Sequence, residues 1–310
     1  MINVPTLAII LVNWNGSADT VRCLKSIRSS VFTDYVTIVV DNGSSAEQLA
    51  SLQKCEVDFV LIETGENLGY TGGNNVGIRY AQEHEINYVL LLNNDTIIES
   101  SALTNLITFA DAEPNVGIFS PKILFYPQST LIWSAGTYLN RWLLMGYLTG
   151  YKEEDKGQFN QAQELDYVTG CAMLIRRSVI NDIGMLSDDY FAVCEDLDFC
   201  LRAQEAGYRV KYIPSATVWH VESASSGGVD APQYVYYQTR NYFLFHNQWS
   251  KGLLQLFTSN SFYLICLIKR SLVFLMHGKW KSILGIIYGI RDVLIGKLGR
   301  RDYAILGRSK

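Results

Sequence analysis

Two side chains that carry oxygen ligands lie two residues apart after the apolar run YVLLL. Asn93 and Asp95 both lie within the three residues that follow this run. Mg²⁺ and Mn²⁺ prefer carboxylate and carbonyl oxygens, together with phosphate oxygens. The pair therefore predicts a site for a divalent cation that neutralises a diphosphate. The alternative is a polar turn in which Asp95 or Thr96 caps a helix over 97–110.

Three acidic side chains occur within four residues, at Glu195, Asp196 and Asp198. They open a predicted helix over 195–206 that ends before Gly207, a residue type common just after a helix. The helix dipole favours acids in the first turn by about 0.3–1 kcal/mol each, which explains some of them. Three exceed what capping requires, and a carboxylate here can act as a general base. Both interpretations are open from the sequence alone.

His220 follows an apolar run and stands next to Trp219 in the segment TVWHVES. The chain has only four histidines, and a lone histidine is usually a structural side chain. The other interpretation is a metal ligand, because a neutral imidazole commonly binds metals. In that case Trp219 would help to shape the site.

Glycine and asparagine are concentrated in the segment NLGYTGGNN, residues 67–75. Glycines at such a turn let the backbone approach a nucleotide or a phosphate group. The segment is not a G-x-G-x-x-G motif, and the turn NWNGS after the first strand has a single glycine. Both facts argue against a dinucleotide-dependent dehydrogenase.

Short apolar runs alternate with helical patterns at the start of the chain. The runs predict strands buried on both faces, at 7–12, 36–40, 59–62 and 88–92. This alternation predicts an α/β fold with a mainly parallel sheet and helices on both faces. Ligands of such sheets bind at the carboxyl ends of the strands. Those ends carry Asn and Asp at 13–15, 41–44 and 93–96. The sequence therefore predicts a polar ligand there.

The centre of the chain predicts further strands and a hinge. The strands are expected at 116–119, 131–138, 165–175 and 208–213. A polar loop is expected over 150–163. The small-residue run SASSGG at 223–228 is the expected hinge between two domains, 1–225 and 226–310.

Charge is divided unevenly along the chain. Residues 1–230 carry 14 Lys and Arg against 28 Asp and Glu, whereas residues 231–310 carry 12 against 2. The uncharged stretch 252–268 is too short and too polar to predict a membrane span. Together with the basic segment 280–298, it predicts amphipathic helices at the surface of an anionic membrane. The alternative is a helical subdomain that packs on the core or on a second subunit.

Composition excludes several classes of protein. Hydrophobic residues make up 48% and charged residues 18% of the 310, which excludes a disordered chain and a coiled coil. The six cysteines form no C-x-x-C pair, which argues against a zinc ribbon or a thioredoxin-type site. The first residues show neither a basic segment nor a small-residue cleavage site. We therefore expect no secretory signal and a reducing, cytoplasmic compartment.

Six motifs occur in the order and spacing of a known family. They are VNWNG at 12–16, VVDNGS at 39–44, NLGYTGGNN at 67–75, LLLNND at 90–95, TGCAMLIRR at 169–177 and EDLDFCLRAQEAGY at 195–208. Over about residues 5–225 the chain resembles the inverting glycosyltransferases of family 2, which have the GT-A fold. Within that family it is most similar to bacterial rhamnosyltransferase-type enzymes.

The resemblance implies roles in catalysis and metal binding. Asp196 is implied as the catalytic base, with Glu195 beside it. Asp95 is implied to bind the Mg²⁺ or Mn²⁺ ion at the donor diphosphate, and His220 matches a position that completes this site in some relatives. Family members usually carry Asp where this chain has Asn93, so Asn93 is a third candidate ligand with one charge fewer.

The resemblance also implies which residues bind donor and acceptor. Asp41 would accept a hydrogen bond from the imide N–H of a uracil or thymine ring. The other implied donor-binding residues are Asn13, Asn15, Asn67, Gly72 and Asn94. Gly170 is implied at the acceptor-facing floor, where a side chain would obstruct the sugar. Trp219 is assigned to the acceptor side as well.

The activity implied by the resemblance is transfer of a sugar from dTDP-rhamnose or a UDP-sugar to a hydroxyl of a saccharide acceptor, in one displacement that inverts the anomeric carbon. Acceptors of bacterial surface polysaccharides are often lipid-linked. A basic tail that holds the enzyme peripherally on the inner face of the cell membrane fits such an acceptor. A homo-oligomer is also allowed, and no nucleic-acid partner is expected.

Two other functions are alternatives. A nucleotidyltransferase of the same fold usually has a Gly-rich basic loop after the first strand, which VNWNGSADT lacks. A non-catalytic, membrane-tethered scaffold that keeps the sugar-nucleotide fold is supported only by Asn93 in place of Asp.

Overall fold

A computed structural model describes residues 4–127, 129–221, 228–301 and 304–306 of the chain. The described residues form twelve strands. These are β1 Leu7–Asn13, β2 Tyr35–Asp41, β3 Val60–Glu63, β4 Tyr88–Leu92, β5 Thr96–Ile98, β6 Val116–Phe125, β7 Ile132–Ser134, β8 Thr137–Asn140, β9 Met145–Leu148, β10 Gln163–Glu164, β11 Ala172–Arg176 and β12 Arg209–His220.

Nine α-helices and one short 3₁₀-helix, Ala304–Leu306, accompany these strands in the described part of the chain. The α-helices are α1 Ser17–Arg28, α2 Ala46–Gln53, α3 Gly69–Glu83, α4 Ala102–Ala112, α5 Arg177–Ile183, α6 Glu195–Glu205, α7 Pro232–Trp249, α8 Leu253–Met276 and α9 Trp280–Leu294.

A ten-stranded sheet forms the centre of the molecule, with the order β10-β12-β6-β11-β4-β1-β2-β3 and with β5 and β7 attached to β12 and β6. The ladders that β1 makes with β2 and β4 are parallel, as are those of β2 with β3 and of β6 with β12. Strand β11 is antiparallel to both of its neighbours. The predicted α/β fold with a mainly parallel sheet is confirmed, and β11 is the central exception.

Apolar side chains fill a layer on each face of the sheet. On one face, α1 and α4 contribute Leu24, Ile27, Leu103 and Leu106. On the other face, α3, α5 and α6 pack through Ile78, Val179 and Phe199, and Phe245 of α7 belongs to the same cluster. Burial on both faces explains why β1 and β4 are continuous apolar runs. Because Phe245 packs in this cluster, α7 is part of the core, although α7 follows the expected hinge in the sequence.

The predicted strand at 165–175 is only half right. The structure has a strand over Ala172–Arg176, whereas 165–171 follows an irregular path. Leu165, Tyr167 and Val168 are buried nonetheless. The segment pairs at isolated points, where the Leu165 N–H donates to the Val210 carbonyl at 2.9 Å and Tyr167 forms a single bridge with Thr137. Its apolar residues fill the core without forming a continuous strand.

Two interpretations of loop segments are also corrected. The helix over 97–110 that Asp95 or Thr96 would cap does not begin there, because Thr96–Ile98 pair with Val218–His220 as a strand and α4 begins at Ala102. The Gly/Asn segment is not a turn but the start of α3. Glycine lowers helix propensity, but a Cβ on Gly73 would lie 2.7 Å from Cγ1 of Val12, so packing of the helix on β1 requires it.

The C-terminal helices differ in what they cover. Helix α9 packs closely on α7, since a Cβ on Gly285 would lie 2.6 Å from the carbonyl oxygen of Pro232. Helix α8 runs unbroken through Lys269 and Arg270 to Met276, longer than the uncharged stretch predicted. The expected hinge at 223–228, except for Gly228, and the domain boundary at 225 lie outside the described residues.

Candidate active site

The ends of β1 and β2 carry the first pair of expected site residues. Asn13 and Asp41 are partners in the parallel ladder. The amide of Asn13 donates to Oδ1 of Asp41 at 2.8 Å and to Oγ of Ser44 at 3.1 Å. The N–H of Ser44 donates to Oδ2 of Asp41 at 3.1 Å. Asp41 is thus a buried, oriented acceptor at the carboxyl edge of the sheet.

A chain of hydrogen bonds extends this pair to the end of β4. Oδ1 of Asn13 accepts from Oγ1 of Thr20 at 2.8 Å. Oγ1 of Thr20 accepts in turn from Nδ2 of Asn94 at 2.9 Å. Thr20, in the first turns of α1, is fully buried and was not expected from the sequence. Three strand exits are therefore joined by side chains, and the polar ligand that their composition predicted there stays a prediction.

Asn15 and Asn67 shape the loops on this side. Asn15 has a left-handed backbone with φ of 53°, and its Oδ1 accepts from the N–H of Ser45 at 2.9 Å. Oδ1 of Asn67 accepts from the N–H of Gly69 at 2.8 Å and from Nδ2 of Asn42 at 3.2 Å. Asn42 follows Asp41 directly in the polar strand end 41–44, although no role of its own was predicted for it from the sequence. Both expected residues border the strand exits.

Gly72 lies within α3 rather than in a turn. A Cβ on Gly72 would lie 2.7 Å from Cβ of Leu68. The small size of Gly72 therefore relieves a contact with the residue that precedes the helix. This contact accounts for the glycine without a nucleotide, so its expected place on the donor side stays a prediction.

Asp95 and His220 meet on the metal side. Nε2 of His220 lies 3.3 Å from Oδ1 of Asp95, and both side chains are buried. His220 lies at the end of β12, where it pairs with Thr96. Trp133 packs edge-on against its ring at 4.9 Å between centroids. Trp219, the expected neighbour, must point to the opposite face of the strand, because successive side chains alternate.

The surroundings of His220 favour positive charge. Burial alone would lower its pKa, but Cys171 and the carboxylate of Asp95 raise it to about 11. Nδ1 of His220 is buried and has no hydrogen-bond partner among the described residues. The carboxylate of Asp95 and the imidazole of His220 are donors of the kinds that bind divalent cations. No group of three His, Cys, Asp or Glu side chains that could hold a metal occurs in the described part of the chain.

Asn93 contributes backbone contacts to this side. Its N–H donates to the carbonyl of Cys171 at 2.9 Å, and its carbonyl accepts from Oγ1 of Thr96 at 2.7 Å. These bonds fix the turn that presents Asp95. They also tie the end of β4 to the segment 169–171, which carries the next part of the site.

Asp196 is held by backbone N–H groups. Its Oδ2 accepts from the N–H of Gly170 at 2.9 Å, and its Oδ1 accepts from the N–H of Leu197 at 2.8 Å. Burial raises the pKa of Asp196, and these hydrogen bonds act to lower it. Gly170 and Cys171 are consecutive, so the Asp196 side and the Asp95 side are joined to adjacent residues of one segment.

Glu195 has the opposite environment. Its Oε2 is buried without a hydrogen-bond partner in the described residues. Burial and the neighbouring Asp196 raise the pKa of Glu195 well above its ordinary value. Asp196 accepts from the N–H groups of Gly170 and Leu197, whereas Glu195 is stabilised as an anion by its own backbone N–H alone, so burial raises the pKa of Glu195 more than that of Asp196. The environments of the two adjacent acids therefore favour the proton on Glu195.

Asp198, the third acid of the run, is structural. It is fully buried and accepts from Nε of Arg202 at 2.8 Å. It also accepts from Gln248 at 2.9 Å and from Trp249 at 3.1 Å, both on α7. The cluster of three acids therefore divides into two candidate site residues and one anchor for a C-terminal helix.

Gly170 is required for a reason other than the expected one. A Cβ on Gly170 would lie 2.5 Å from the hydroxyl oxygen of Tyr70. That hydroxyl donates to the carbonyl of Gly170 at 2.5 Å. The absence of a side chain thus lets Tyr70 and Asp196 bind opposite polar groups of one residue. Its contact with an acceptor sugar stays a prediction.

Left-handed backbone precedes the acidic run. Phe191, Val193 and Cys194 have φ of 64°, 73° and 75°. Each such non-glycine residue costs about 1–2 kcal/mol. No sequence signal marked this loop, because none of these residue types favours that conformation.

Comparison with known proteins identifies the family. The model of glycosyl transferase family 2 matches residues 8–184. The low-salt glycan biosynthesis hexosyltransferase Agl10 of Haloferax volcanii is 31% identical over 254 residues, which cover 78% of this chain and 75% of that protein. The N-acetylglucosaminyl-diphospho-decaprenol L-rhamnosyltransferase of Mycobacterium tuberculosis is 24% identical over 245 residues, 71% of this chain and 78% of that protein.

The fold has a solved counterpart. The mannosyltransferase PcManGT from Pyrobaculum calidifontis, in complex with GDP-Man and Mn²⁺, superimposes with a TM-score of 0.59 at 14% identity, and the match covers 96% of this chain and 89% of that one. The GT-A fold expected from the resemblance is thereby confirmed. The family match and the 31% identity show that the chain belongs to glycosyl transferase family 2 and is a glycosyltransferase.

Proposed function

We propose that this glycosyltransferase moves a sugar from a nucleotide-diphosphate donor, dTDP-rhamnose or a UDP-sugar, to a hydroxyl of a lipid-linked saccharide in polysaccharide synthesis. The observation that carries the proposal is the arrangement around Asp196. A carboxylate held by two N–H groups, next to a Glu195 whose pKa is raised further, is suited to a general base. The relative from Mycobacterium tuberculosis is named for a rhamnosyl transfer to a diphospho-decaprenol acceptor, which supports the acceptor class.

The reaction is a single displacement. Asp196 takes the proton of the acceptor hydroxyl as that oxygen bonds to the anomeric carbon. The bond from this carbon to the diphosphate oxygen breaks on the opposite face, and its electron pair stays with the leaving nucleoside diphosphate. The anomeric configuration is therefore inverted. No covalent intermediate forms on the enzyme, so a nucleophilic Ser or Cys is not required.

Asp95 and His220, with Asn93 beside them, would hold a Mg²⁺ or Mn²⁺ ion. The bound ion would neutralise charge that develops on the diphosphate. Two protein side chains leave coordination positions for phosphate oxygens, as is usual for these cations. The negative surroundings that raise the pKa of His220 suit a cation at this place.

Asp41 would select the nucleobase. Its buried carboxylate can accept from the imide N–H of uracil or thymine, while Asn13, Ser44 and Thr20 fix its orientation. Asn15, Asn67 and Asn94 would border the donor, and Gly72 would lie behind them on α3. Gly170 and Trp219 would lie on the acceptor side with Glu195.

Helix α8 would place the enzyme on the inner face of the membrane. Its buried positions include the polar Gln255 and Ser259, while its outer faces are apolar. Its apolar residues that are at least 40% exposed are Leu253, Leu254, Phe257, Leu264, Ile265, Ile268, Leu272, Val273, Leu275 and Met276. So large an apolar surface is typical of a protein or membrane contact. Among the described helices, α8 alone is long and apolar enough to cross a membrane by length and composition.

The test measures donor binding in the wild type, and then donor binding and turnover in a variant that lacks the proposed base. Thermal shift with Mn²⁺ and dTDP-rhamnose, UDP-glucose, UDP-N-acetylglucosamine or GDP-mannose identifies the donor, because a ligand of the folded state raises the melting temperature. The Asp196→Asn variant should keep that shift and lose about 10²–10⁴-fold in turnover. The exposed Asp182→Asn serves as the control. Retained turnover in Asp196→Asn would refute the base, and release of pyrophosphate from a nucleoside triphosphate and a sugar phosphate would favour a nucleotidyltransferase.

A further inference from the structure

Two polar residues in the middle of α7 are buried in the core and have no part in the site described above. Arg240 and Asn241 are both fully buried. Nε of Arg240 donates to Oδ1 of Asn241 at 2.8 Å. This bond assigns the oxygen of the amide and turns its NH₂ group away from the guanidinium. Both residues then have donors left for other partners.

Those donors all reach backbone carbonyls. Nδ2 of Asn241 donates to the carbonyls of Tyr190, Ala192 and Val193 at 2.9, 2.6 and 2.7 Å. Nη2 of Arg240 donates to the carbonyls of Asp189 and Tyr190 at 3.0 and 2.9 Å. Four carbonyls of one loop are thus held by two adjacent side chains of α7.

The loop that they hold is the left-handed one. Phe191, Val193 and Cys194 occupy a conformation that persists only where the surroundings impose it. The carbonyl of Phe191 faces the other way and accepts from the N–H of Thr71 on α3 at 3.0 Å. The loop is therefore fixed between α7 and α3 by hydrogen bonds to its main chain.

The loop leads directly into the acidic run. Cys194 is the N-cap of α6, and Glu195 is its first residue. The Val193 carbonyl bound by Asn241 is three residues before Asp196. A shift of this carbonyl moves the first turn of α6, and with it the carboxylate relative to the Gly170 N–H.

We infer that Arg240 and Asn241 are positioning residues that set the catalytic base by fixing the main chain of residues 189–194. The inference rests on the proposed role of Asp196. The pair acts through the loop and touches neither donor nor acceptor. Lysine cannot replace Arg240, because it lacks the planar fork that binds two carbonyls while Nε orients the amide.

The decisive variants keep the shape of α7. Asn241→Asp replaces the donating NH₂ by an oxygen that repels the three carbonyls, and Asn241→Ser removes most of the bonds without adding charge. Tyr263→Phe is the matched control. It removes the 3.2 Å hydrogen bond from the buried Tyr263 hydroxyl of α8 to the Gln238 carbonyl of α7, and it keeps the bonds of Arg240 and Asn241 to the loop. Melting temperatures show which variants are folded at the assay temperature.

Two readouts separate positioning from stability. Hydrogen–deuterium exchange of peptides covering 189–198 should rise several-fold in Asn241→Ser and Arg240→Lys but not in Tyr263→Phe. Turnover of the donor identified by thermal shift should fall about 100-fold, as for a displacement of about 1 Å, with KM for that donor unchanged. Turnover should be lowest in Asn241→Asp, intermediate in Asn241→Ser and highest in the wild type.

Each outcome decides the matter. Unchanged exchange over 189–198 in folded Asn241 variants overturns the inference, as does a loss of turnover that Tyr263→Phe matches at equal melting temperature. If Asp196→Asn itself keeps full turnover, the proposed base fails and the exchange data still report on the loop. If Asp196→Asn is inactive while Asn241→Asp and Asn241→Ser are fully active, only the positioning role fails.

Discussion

The backbone N–H of Gly170 lies 2.9 Å from Oδ2 of Asp196, and the next residue, Cys171, accepts a hydrogen bond from Asn93. One short segment before β11 therefore connects the base to the turn that carries Asp95. This segment breaks the strand expected at 165–175. Its irregular path is what allows the N–H of Gly170 to point to a side chain instead of a neighbouring strand.

Gly170→Ala should lower turnover and leave donor binding unchanged. The new Cβ would lie 2.5 Å from the Tyr70 hydroxyl and 2.8 Å from Cζ of the same ring, so the segment must move. A displacement of about 1 Å at the base predicts roughly a 100-fold lower kcat. Donor binding, measured by thermal shift, should persist because β1 and β2 are unchanged. Gly252→Ala is the control, since a Cβ there meets nothing within 4 Å, and equal kcat values for the two variants would contradict the prediction.

Glu195→Gln should preserve activity and change the pH dependence of stability. Glutamine resembles the protonated acid, so we expect turnover within a few-fold of wild type, unlike Asp196→Asn. Burial raises the pKa of Glu195 in the folded state, so wild type loses stability as the pH rises from the unfolded pKa toward the folded one. Above the unfolded pKa, the Gln variant should therefore melt at a higher temperature, by a margin that grows with pH.

Melting curves from pH 4 to pH 9 check this prediction. Glu205→Gln, at the exposed end of α6, should show no such trend. A Glu195→Gln variant that is inactive, or whose stability gain is the same at every pH, would mean that Glu195 is ionised in the folded protein.

The activity itself should fall at low pH. Asp196 must be ionised to accept a proton, and burial raises its pKa. The acid limb of kcat against pH should therefore lie above the ordinary range of an aspartate. An acid limb at or below pH 3.8 would contradict the assignment.

The sequence predicted the parts of the site that lie at strand ends. Asn13, Asp41 and Asp95 follow apolar runs, and parallel strands bring their carboxyl ends together whatever the rest of the chain does. The role of Thr20 was not predictable, because a threonine in an amphipathic helix has no special pattern. Trp133 was missed for another reason: the sequence offered Trp219 beside His220, but alternation along β12 turns that indole away.

The structural role of α7 also could not be predicted from the sequence. A basic, aromatic C-terminal region suggested a separate unit, but Arg240 and Asn241 bind carbonyls about 50 residues earlier. Such partners are set by tertiary packing. Every residue has a main-chain carbonyl, so the sequence does not show which carbonyls a side chain will bind. The start of α3 was misjudged because the need for glycine at Gly73 comes from contact with Val12 and outweighs helix propensity.

Metal removal should abolish transfer, and His220 should govern metal affinity. Excess EDTA should stop turnover, and added Mn²⁺ or Mg²⁺ should restore it. In His220→Gln, the Mn²⁺ concentration for half-maximal activity should rise about 10–100-fold, as for the loss of a group that supports a metal site. His84→Gln, at the exposed end of α3, is the control. Full activity in EDTA, or the same Mn²⁺ dependence in both variants, would remove the metal from the proposal.

Membrane binding should depend more on the apolar face of α8 than on basic charge. Two cations near its C-terminal end are engaged within the protein, since Arg270 and Lys279 contact Asp230 at 3.4 and 2.7 Å. Leu254, Phe257 and Ile268 are 67%, 71% and 54% exposed. If burial of each in lipid contributes about 1 kcal/mol, replacing all three by Ser lowers partitioning about 100-fold.

Co-sedimentation with vesicles of phosphatidylglycerol and phosphatidylethanolamine measures this directly. Wild type should bind and should keep part of its binding at 0.5 M salt, where the screening length is only a few ångströms. The triple Ser variant should stay in the supernatant. Val31→Ser, which removes an equally exposed apolar side chain far from α8 in sequence, should bind like wild type. Complete release of wild type by salt would show instead that the cations dominate, because apolar contact with lipid is not screened.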